Sequence, residues 1–268
     1  MFRRASGFNL ALTPHIALLF VGGFAVLCTP SVPTGQEVAT KQVASNDRVA
    51  TCYDERTGAF AGPMLVRSEV LVAPDGEHGA YTESLATGGI KLAENAPGGL
   101  LEPECANITK IFITDRRGGE FRLGLTISPT ESALGNAARL VDWSPDSRYL
   151  LLESARFQWG SDVGSSDPVL YDARSETFSD PGLACRAFKK WAKRDCAVGS
   201  VIPLGFSPEG KVVLKAGPSY PATSENKDLE PNSCLQKSGT WVYDPATGNL
   251  SECLNNYQVR PFAKFRAR

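Results

Sequence analysis

Three short strings in this chain repeat one another: Val72-Ala73-Pro74-Asp75-Gly76, Trp143-Ser144-Pro145-Asp146-Ser147 and Phe206-Ser207-Pro208-Glu209-Gly210. Each closes an apolar approach with a Pro-acid-small turn. Each then opens a new run: His78-Gly79-Ala80-Tyr81, Tyr149-Leu150-Leu151-Leu152 and Val212-Val213-Leu214. Proline presets the backbone for the turn, and Gly or Ser relaxes its exit. The runs are too short for an ordinary helix. Their β-branched and aromatic content predicts strands buried on both faces. A repeated unit limits the architecture before any single residue limits the chemistry.

A second signature alternates with the first. Tyr53-Asp54-Glu55-Arg56-Thr57-Gly58, Tyr171-Asp172-Ala173-Arg174-Ser175 and Tyr243-Asp244-Pro245-Ala246-Thr247-Gly248 match, with Ile113-Thr114-Asp115-Arg116-Arg117-Gly118-Gly119 as a looser copy. Each reads as strand, tight polar turn, strand. Two turn signatures and about four short strands are what one propeller blade requires. The segment Trp143-Ser144-Pro145-Asp146-Ser147-Arg148-Tyr149-Leu150, followed by Val169-Leu170-Tyr171-Asp172, resembles a WD40-like propeller repeat of the TolB type. In those repeats a Trp-Ser-Pro-Asp-Gly-Lys segment starts an inner strand, and a later strand ends near an aspartate and a turn. The likeness runs through 140–179, 203–252 and 69–121. Ser147 stands where the pattern has Gly, Glu209 where it has Asp, and the first copy lacks the aromatic before its turn. The units are about 60–70 residues long, against the ~40–45 typical of such repeats. The resemblance implies propeller-type sheets and a binding-platform role, with no ligand carried over. Closed propellers have roughly 4–8 blades, whereas this chain offers three units and the hairpin at Tyr53. Circular closure, a divergent fourth blade or an open stack would each reconcile the count. The expected fold is therefore all-β, a small or incomplete β-propeller of antiparallel blades with one short inserted helix; the alternative is a β-sandwich.

The N-terminus carries Arg3 and Arg4, an apolar run from Ile16 to Cys28, and then Pro30, Ser31, Pro33 and Gly35. That order describes a secretory signal, and the run is shorter than the roughly 20 residues that span a bilayer. Residues 1–35 are expected to be the signal, 36–47 a linker, 48–260 the β domain and 261–268 a basic tail. The protein is expected to be exported, periplasmic or secreted; the alternative is a membrane anchor through residues 16–28. Leu27 before Cys28 departs from a lipobox, which disfavours lipidation. Without Arg3 and Arg4 the chain has 26 basic against 29 acidic residues, too even a balance for a general nucleic-acid binder.

Six cysteines remain beyond Cys28: Cys52, Cys105, Cys185, Cys196, Cys234 and Cys253. An even count in an exported chain predicts three disulfides. Nearest-neighbour pairing would join Cys52 to Cys105, Cys185 to Cys196 and Cys234 to Cys253. The segment from Gly182 to Cys196 reads as an amphipathic helix inserted between units. In one straight helix Cys185 and Cys196 would lie about 16 Å apart, and a disulfide needs Cα atoms within roughly 7 Å. Either the helix is short and the chain doubles back, or these two do not pair. Arg186, Lys189, Lys190, Lys193 and Arg194 form a positive patch there. It is either a solvated helix face or a contact for an anionic surface such as membrane or cell-wall polymer.

Signatures of catalysis are few. His78 is the one histidine left for a Ser-His-acid triad once the signal is removed, and its repeat position reads as structural. No Cys-x-x-Cys pair, nucleophile elbow, P-loop or dinucleotide fingerprint occurs, so no metal and no cofactor is expected. Asp162 and Asp167 flank a Gly-Ser-Ser stretch that is either a calcium loop or a plain polar loop. Asn107-Ile108-Thr109 fits an N-glycosylation sequon. The expected function is an exported non-enzymatic binding or scaffold module for a protein or cell-envelope polymer, presenting exposed aromatics such as Trp159 or Trp241. The alternative is a polymer-acting hydrolase or lyase with paired carboxylates roughly 5–10 Å apart.

Overall fold

A computed structural model describes residues 39–43, 50, 52, 63–92, 101–129, 134–158, 164–180, 182–219, 232–253 and 259–267. The expected signal, the hairpin at Tyr53, Trp159 and Asp162 lie outside the described residues. The first sheet holds β1 (Ala39–Val43), β2 (Met64–Ser68), β3 (Val70–Val72), β4 (Gly79–Leu92), β5 (Leu101–Thr114) and β6 (Arg122–Ile127). Its spine is the long β4–β5 hairpin, in register from Gly79↔Thr114 to Leu92↔Leu101. β2 and β3 both pair with β4, and β1 runs parallel to β2. The second sheet is an antiparallel meander of β7 (Leu134–Trp143), β8 (Tyr149–Gln158), β9 (Gly164–Asp172) and β10 (Thr177–Phe178). Helix α1 (Leu183–Ala192) follows. The third sheet is a meander of β11 (Val201–Phe206), β12 (Val212–Ala216), β13 (Gly239–Asp244) and β14 (Asn249–Cys253). The last strand, β15 (Lys264–Arg266), returns to pair antiparallel with β3. Among the described residues the fold is all-β, as the repeats predict, with one helix, at the inserted amphipathic segment.

The repeated strings form repeated turns. Gly76, Ser147 and Gly210 donate their N–H groups to the carbonyls of Ala73, Ser144 and Ser207, at 3.0, 2.8 and 2.9 Å. All three have positive φ, 76°, 59° and 76°, which glycine adopts at no cost and serine does not. The Ser147 side chain also bridges two turns. Its Oγ accepts the Asp75 N–H, 3.0 Å away, and so ties the second turn to the first. The hairpin signature is equally regular. Asp172 Oδ1 accepts the Arg174 N–H and Asp244 Oδ1 accepts the Ala246 N–H, both at 2.9 Å. In the looser copy Thr114, not Asp115, fills that place, accepting the Arg116 N–H. Four residues later Gly118, Glu176 and Gly248 share positive φ of 70°, 56° and 66°.

The first half of β8, Tyr149 to Leu152, is buried on both faces. Leu150 and Leu152 join Leu71, Ile111, Ile113, Trp143 and Tyr171 in a core shared with the first sheet. Tyr149 and Leu151 join Phe188, Val201, Phe206, Leu214 and Trp241 in a core shared with the third sheet and α1. Each such side chain contributes about 1.5–3 kcal/mol of transfer free energy. The seam between the first two sheets also holds polar groups. Trp143 Nε1 donates to the Leu71 carbonyl at 3.2 Å. Asn107 and Asn136 bond each other's backbone reciprocally: Asn136 N–H to Asn107 Oδ1 at 2.7 Å, Asn136 Nδ2 to Asn107 O at 3.0 Å, and Asn107 Nδ2 to Asn136 O. Asn107 is fully buried, so the sequon is sealed between sheets in the folded chain.

The C-terminal segment crosses the first strand of all three units. A side chain added at Gly205 of β11 would strike Val259. Phe262 and Ala263 donate N–H groups to Asp142 of β7, at 3.1 and 2.9 Å to Oδ1. β15 then lies on β3. Thus residues 264–266, within the expected tail, belong to a sheet, as does β1 within the expected linker.

Among the described residues two disulfides form, Cys52–Cys105 and Cys196–Cys234. The first is the expected pair. The second replaces both Cys185–Cys196 and Cys234–Cys253, and Cys185 and Cys253 keep their thiols. The reason is the one the helix imposes. α1 stops at Ala192, Lys193 turns the chain at φ 53°, and Cys196 is carried away from Cys185. A backbone link then brings Cys196 to Cys234, because Ala197 accepts the Cys234 N–H at 2.6 Å.

Candidate functional site

Several sequence candidates have structural employment. His78 Nδ1 meets Asp75 Oδ2 at 2.6 Å, the beginning of a triad. Asp75 Oδ1, however, accepts the N–H groups of Glu77 and His78, so the pair closes the turn on itself, and the His78 ring lies against Trp143. On α1 most of the basic patch is tied down. Lys189 pairs with Asp195 at 2.6 Å, Lys190 reaches Gly248 O and Asn249 Oδ1, and Arg194 donates to Ser233 O at 2.6 Å. Arg186 reaches Asp180 O at 3.4 Å, and Lys193 forms the helix end. Trp241, expected on the surface, is 3% exposed because Phe188 and Trp191 of α1 cover it edge-on. No cluster of three or more His, Cys, Asp or Glu that could hold a metal exists among the described residues.

The open space lies at the far end of the second sheet, where β8 leaves the core and β9 enters it. Core-directed Leu150–Leu152 give way to Glu153, Ser154, Ala155, Arg156 and Phe157. Opposite them stand Gly164, Ser165, Ser166 and Asp167. Strand alternation sorts these residues onto two faces. Ser154 lies across from Asp167 and Arg156 across from Ser165, all toward the first sheet. Glu153, Ala155, Phe157, Gly164 and Ser166 face the third. Each face lines a cleft. One, of about 630 Å³, is closed on its other side by Gly199, Ser200, Ile202 and Ser219. The other, of about 250 Å³, is closed by Leu125, Thr126, Ile127 and Ser128 of β6 and its exit. Arg156 and Ser165 border both.

The charges in the two clefts differ in kind. Glu153 Oε2 accepts Arg139 Nε and Nη2 at 2.8 and 2.6 Å, the counterpart of Arg67–Glu83 in the first sheet. Asp167 receives no hydrogen bond among the described residues. Burial lifts its carboxyl above the usual range, against the pull of the Arg156 charge. Glu153 and Asp167 stand on opposite faces and do not form a facing acid pair. A third cleft, at the turn end of the sheet, is lined by Arg148 and Asp172. Those two are bound in a fork of 3.2 and 2.9 Å that holds the Asp172 carboxyl below its usual range. In the two clefts beside the hairpin, the sequence singled out Asp167 and the Gly164-Ser165-Ser166 stretch before it, but not Arg156 or Ser154. The signal for the rest was the alternation Ser154-x-Arg156 against Ser165-x-Asp167 at the ends of strands that are otherwise apolar.

No protein-family model matches the chain, and no curated protein matches it. The two disulfides fit an oxidising compartment. No helix among the described residues is long and apolar enough to cross a membrane.

Proposed function

We propose that this chain is an exported, non-enzymatic binding module of the periplasm or extracellular space. Its sheets act as propeller-like units that hold out the β8–β9 hairpin as the ligand-contacting element. The observation that carries this reading is the pair of clefts flanking that hairpin, bordered in common by Arg156 and Ser165. Elsewhere polar groups are spent on holding turns and seams; here hydroxyls, a guanidinium and a carboxylate converge on open space, which is the composition of a ligand site. The meander order of the second and third sheets and the alternating turn signatures support the propeller-like reading. The charged start and apolar run of the first 35 residues support export. The ligand is a cell-envelope polymer, whose length suits two clefts reached around one rim.

Cosedimentation of the purified protein, disulfides intact, with insoluble peptidoglycan sacculi tests this. Saturable sedimentation is expected, weakened at least about tenfold by Arg156→Glu, a loss of ~1.4 kcal/mol, with unchanged thermal unfolding. Failure to sediment with sacculi, and with chitin and cellulose as further polymers, would overturn the proposal.

A further inference from the structure

The smaller cleft contains an acid and a base that the fold leaves apart. Acid–base couples elsewhere are closed: Arg67–Glu83, Arg122–Glu176, Arg139–Glu153, Arg148–Asp172 and Lys189–Asp195 lie between 2.6 and 2.9 Å. Arg156 and Asp167 are diagonal neighbours on one face of β8–β9, a relation that sets backbones roughly 7–8 Å apart. They form no ion pair, and neither side chain has a hydrogen-bond partner among the described residues. Ser154 and Ser165 stand across from them on the same face. Ser179 Oγ, at the cleft wall, accepts the Leu170 N–H at 3.0 Å, so its own proton points elsewhere. Leu125, Ile127 and Val169 supply an apolar floor. A volume of about 250 Å³ admits a group of amino-acid size.

We infer that this cleft binds a zwitterion, the ammonium and carboxylate of an α-amino acid, with Asp167 accepting from the ammonium and Arg156 gripping the carboxylate. A carboxylate alone would suit a simple amine, and a guanidinium alone a simple acid. The two together, held apart by the strand geometry and flanked by hydroxyls, match a ligand that carries both charges. Arg and carboxylate form forked, charge-assisted hydrogen bonds, which also fix orientation. The partial burial of Asp167 strengthens its attraction for a cation by lowering the local dielectric. A divalent metal is a poor match, because one carboxylate would face it beside a guanidinium. The inference rests on the reading of the hairpin clefts as ligand sites. The same chemistry has two sources, a free amino acid or the diamino-acid headgroup of a wall stem peptide.

Titration of the purified protein, followed by amide chemical shifts, separates these. The probes are L-alanine, ethylamine, acetate, glucose and a soluble muropeptide whose stem ends in a diamino acid. Either L-alanine or the muropeptide is expected to bind at least about tenfold more tightly than ethylamine or acetate, with shifts at residues 154–156, 165–167 and 125–128. Binding of L-alanine marks the free amino acid as source; binding of the muropeptide alone marks the wall. Asp167→Asn and Arg156→Gln should each weaken that binding about tenfold while near-UV circular dichroism stays unchanged. Glucose binding as tightly as the zwitterions would overturn the inference, as would no effect of either substitution. No response to any probe while sedimentation with sacculi persists overturns the inference alone; loss of both removes the wider proposal as well.

Discussion

Ser147 occupies a backbone position that suits glycine, φ 59°, and is retained by a bond that glycine cannot make, accepting the Asp75 N–H. Two opposed effects therefore meet in one residue. Ser147→Ala keeps the strain and loses the acceptor, and is expected to cost about 1–2 kcal/mol. Ser147→Gly loses the same acceptor but regains roughly 0.5–1 kcal/mol from the relaxed backbone, so its cost is smaller. Urea unfolding of the two variants, disulfides intact, gives the order; a glycine variant less stable than the alanine variant contradicts the account. Asp142 is the other decisive residue. Burial raises its carboxyl above the usual range, although the N–H groups of Ala263, Phe262 and Trp143 pull it down. Between the unfolded and native values the native state binds more protons than the unfolded chain. The contribution of Asp142 to stability consequently falls as pH rises from the ordinary aspartate value through the elevated native one. Asp142→Asn keeps an acceptor for the three donors and cannot titrate. Unfolding free energies measured from about pH 4 to pH 7 should show a shallower decline for this variant than for the wild type.

At the scale of elements, the turns were legible because their chemistry is local. Pro-acid-small and Tyr-Asp strings name the residues that set φ and cap the backbone, and both form their turns wherever the described residues include them. Even the Ser147 departure could be seen, though not its cause, since Asp75 is 72 residues away. The burial of the first half of β8 on both faces was readable from Tyr149-Leu150-Leu151-Leu152, and α1 from its apolar periodicity. Three things depended on distant partners and were not readable. The Cys196–Cys234 bridge follows from where α1 ends. Trp241 is hidden because α1 folds back over β13. The clefts around Arg156 and Asp167 depend on where β6 and the 198–202 segment come to lie beside the hairpin. The helix and the bridge give direct tests. Phe188→Ala should cost about 3–5 kcal/mol and move Trp241 fluorescence toward that of a solvated indole. Replacing Cys196 and Cys234 together by serine releases a loop with a sequence separation of 38 and should cost about 4 kcal/mol on chain-entropy grounds, read as a lower urea midpoint.

For the whole molecule, the C-terminal segment and the hairpin clefts stand in contrast. Residues 259–266 bind the first strands of three units together through Gly205, Asp142 and β3. Ending the chain at residue 258 leaves Asp142 buried without the Phe262 and Ala263 donors. Calorimetry should then show a lowered and broadened transition, because the first and third sheets lose their shared strap. The clefts, by contrast, contribute little to the fold and carry the proposed function. The measurement that tests that division most directly is hydrogen–deuterium exchange of the purified protein with and without soluble peptidoglycan fragments. Slowed exchange is expected at residues 154–157, 164–167 and 198–202, with the turns at 74–76, 145–147 and 208–210 unchanged. Protection confined to those turns, or none at the hairpin under conditions where the protein sediments with sacculi, would contradict the account.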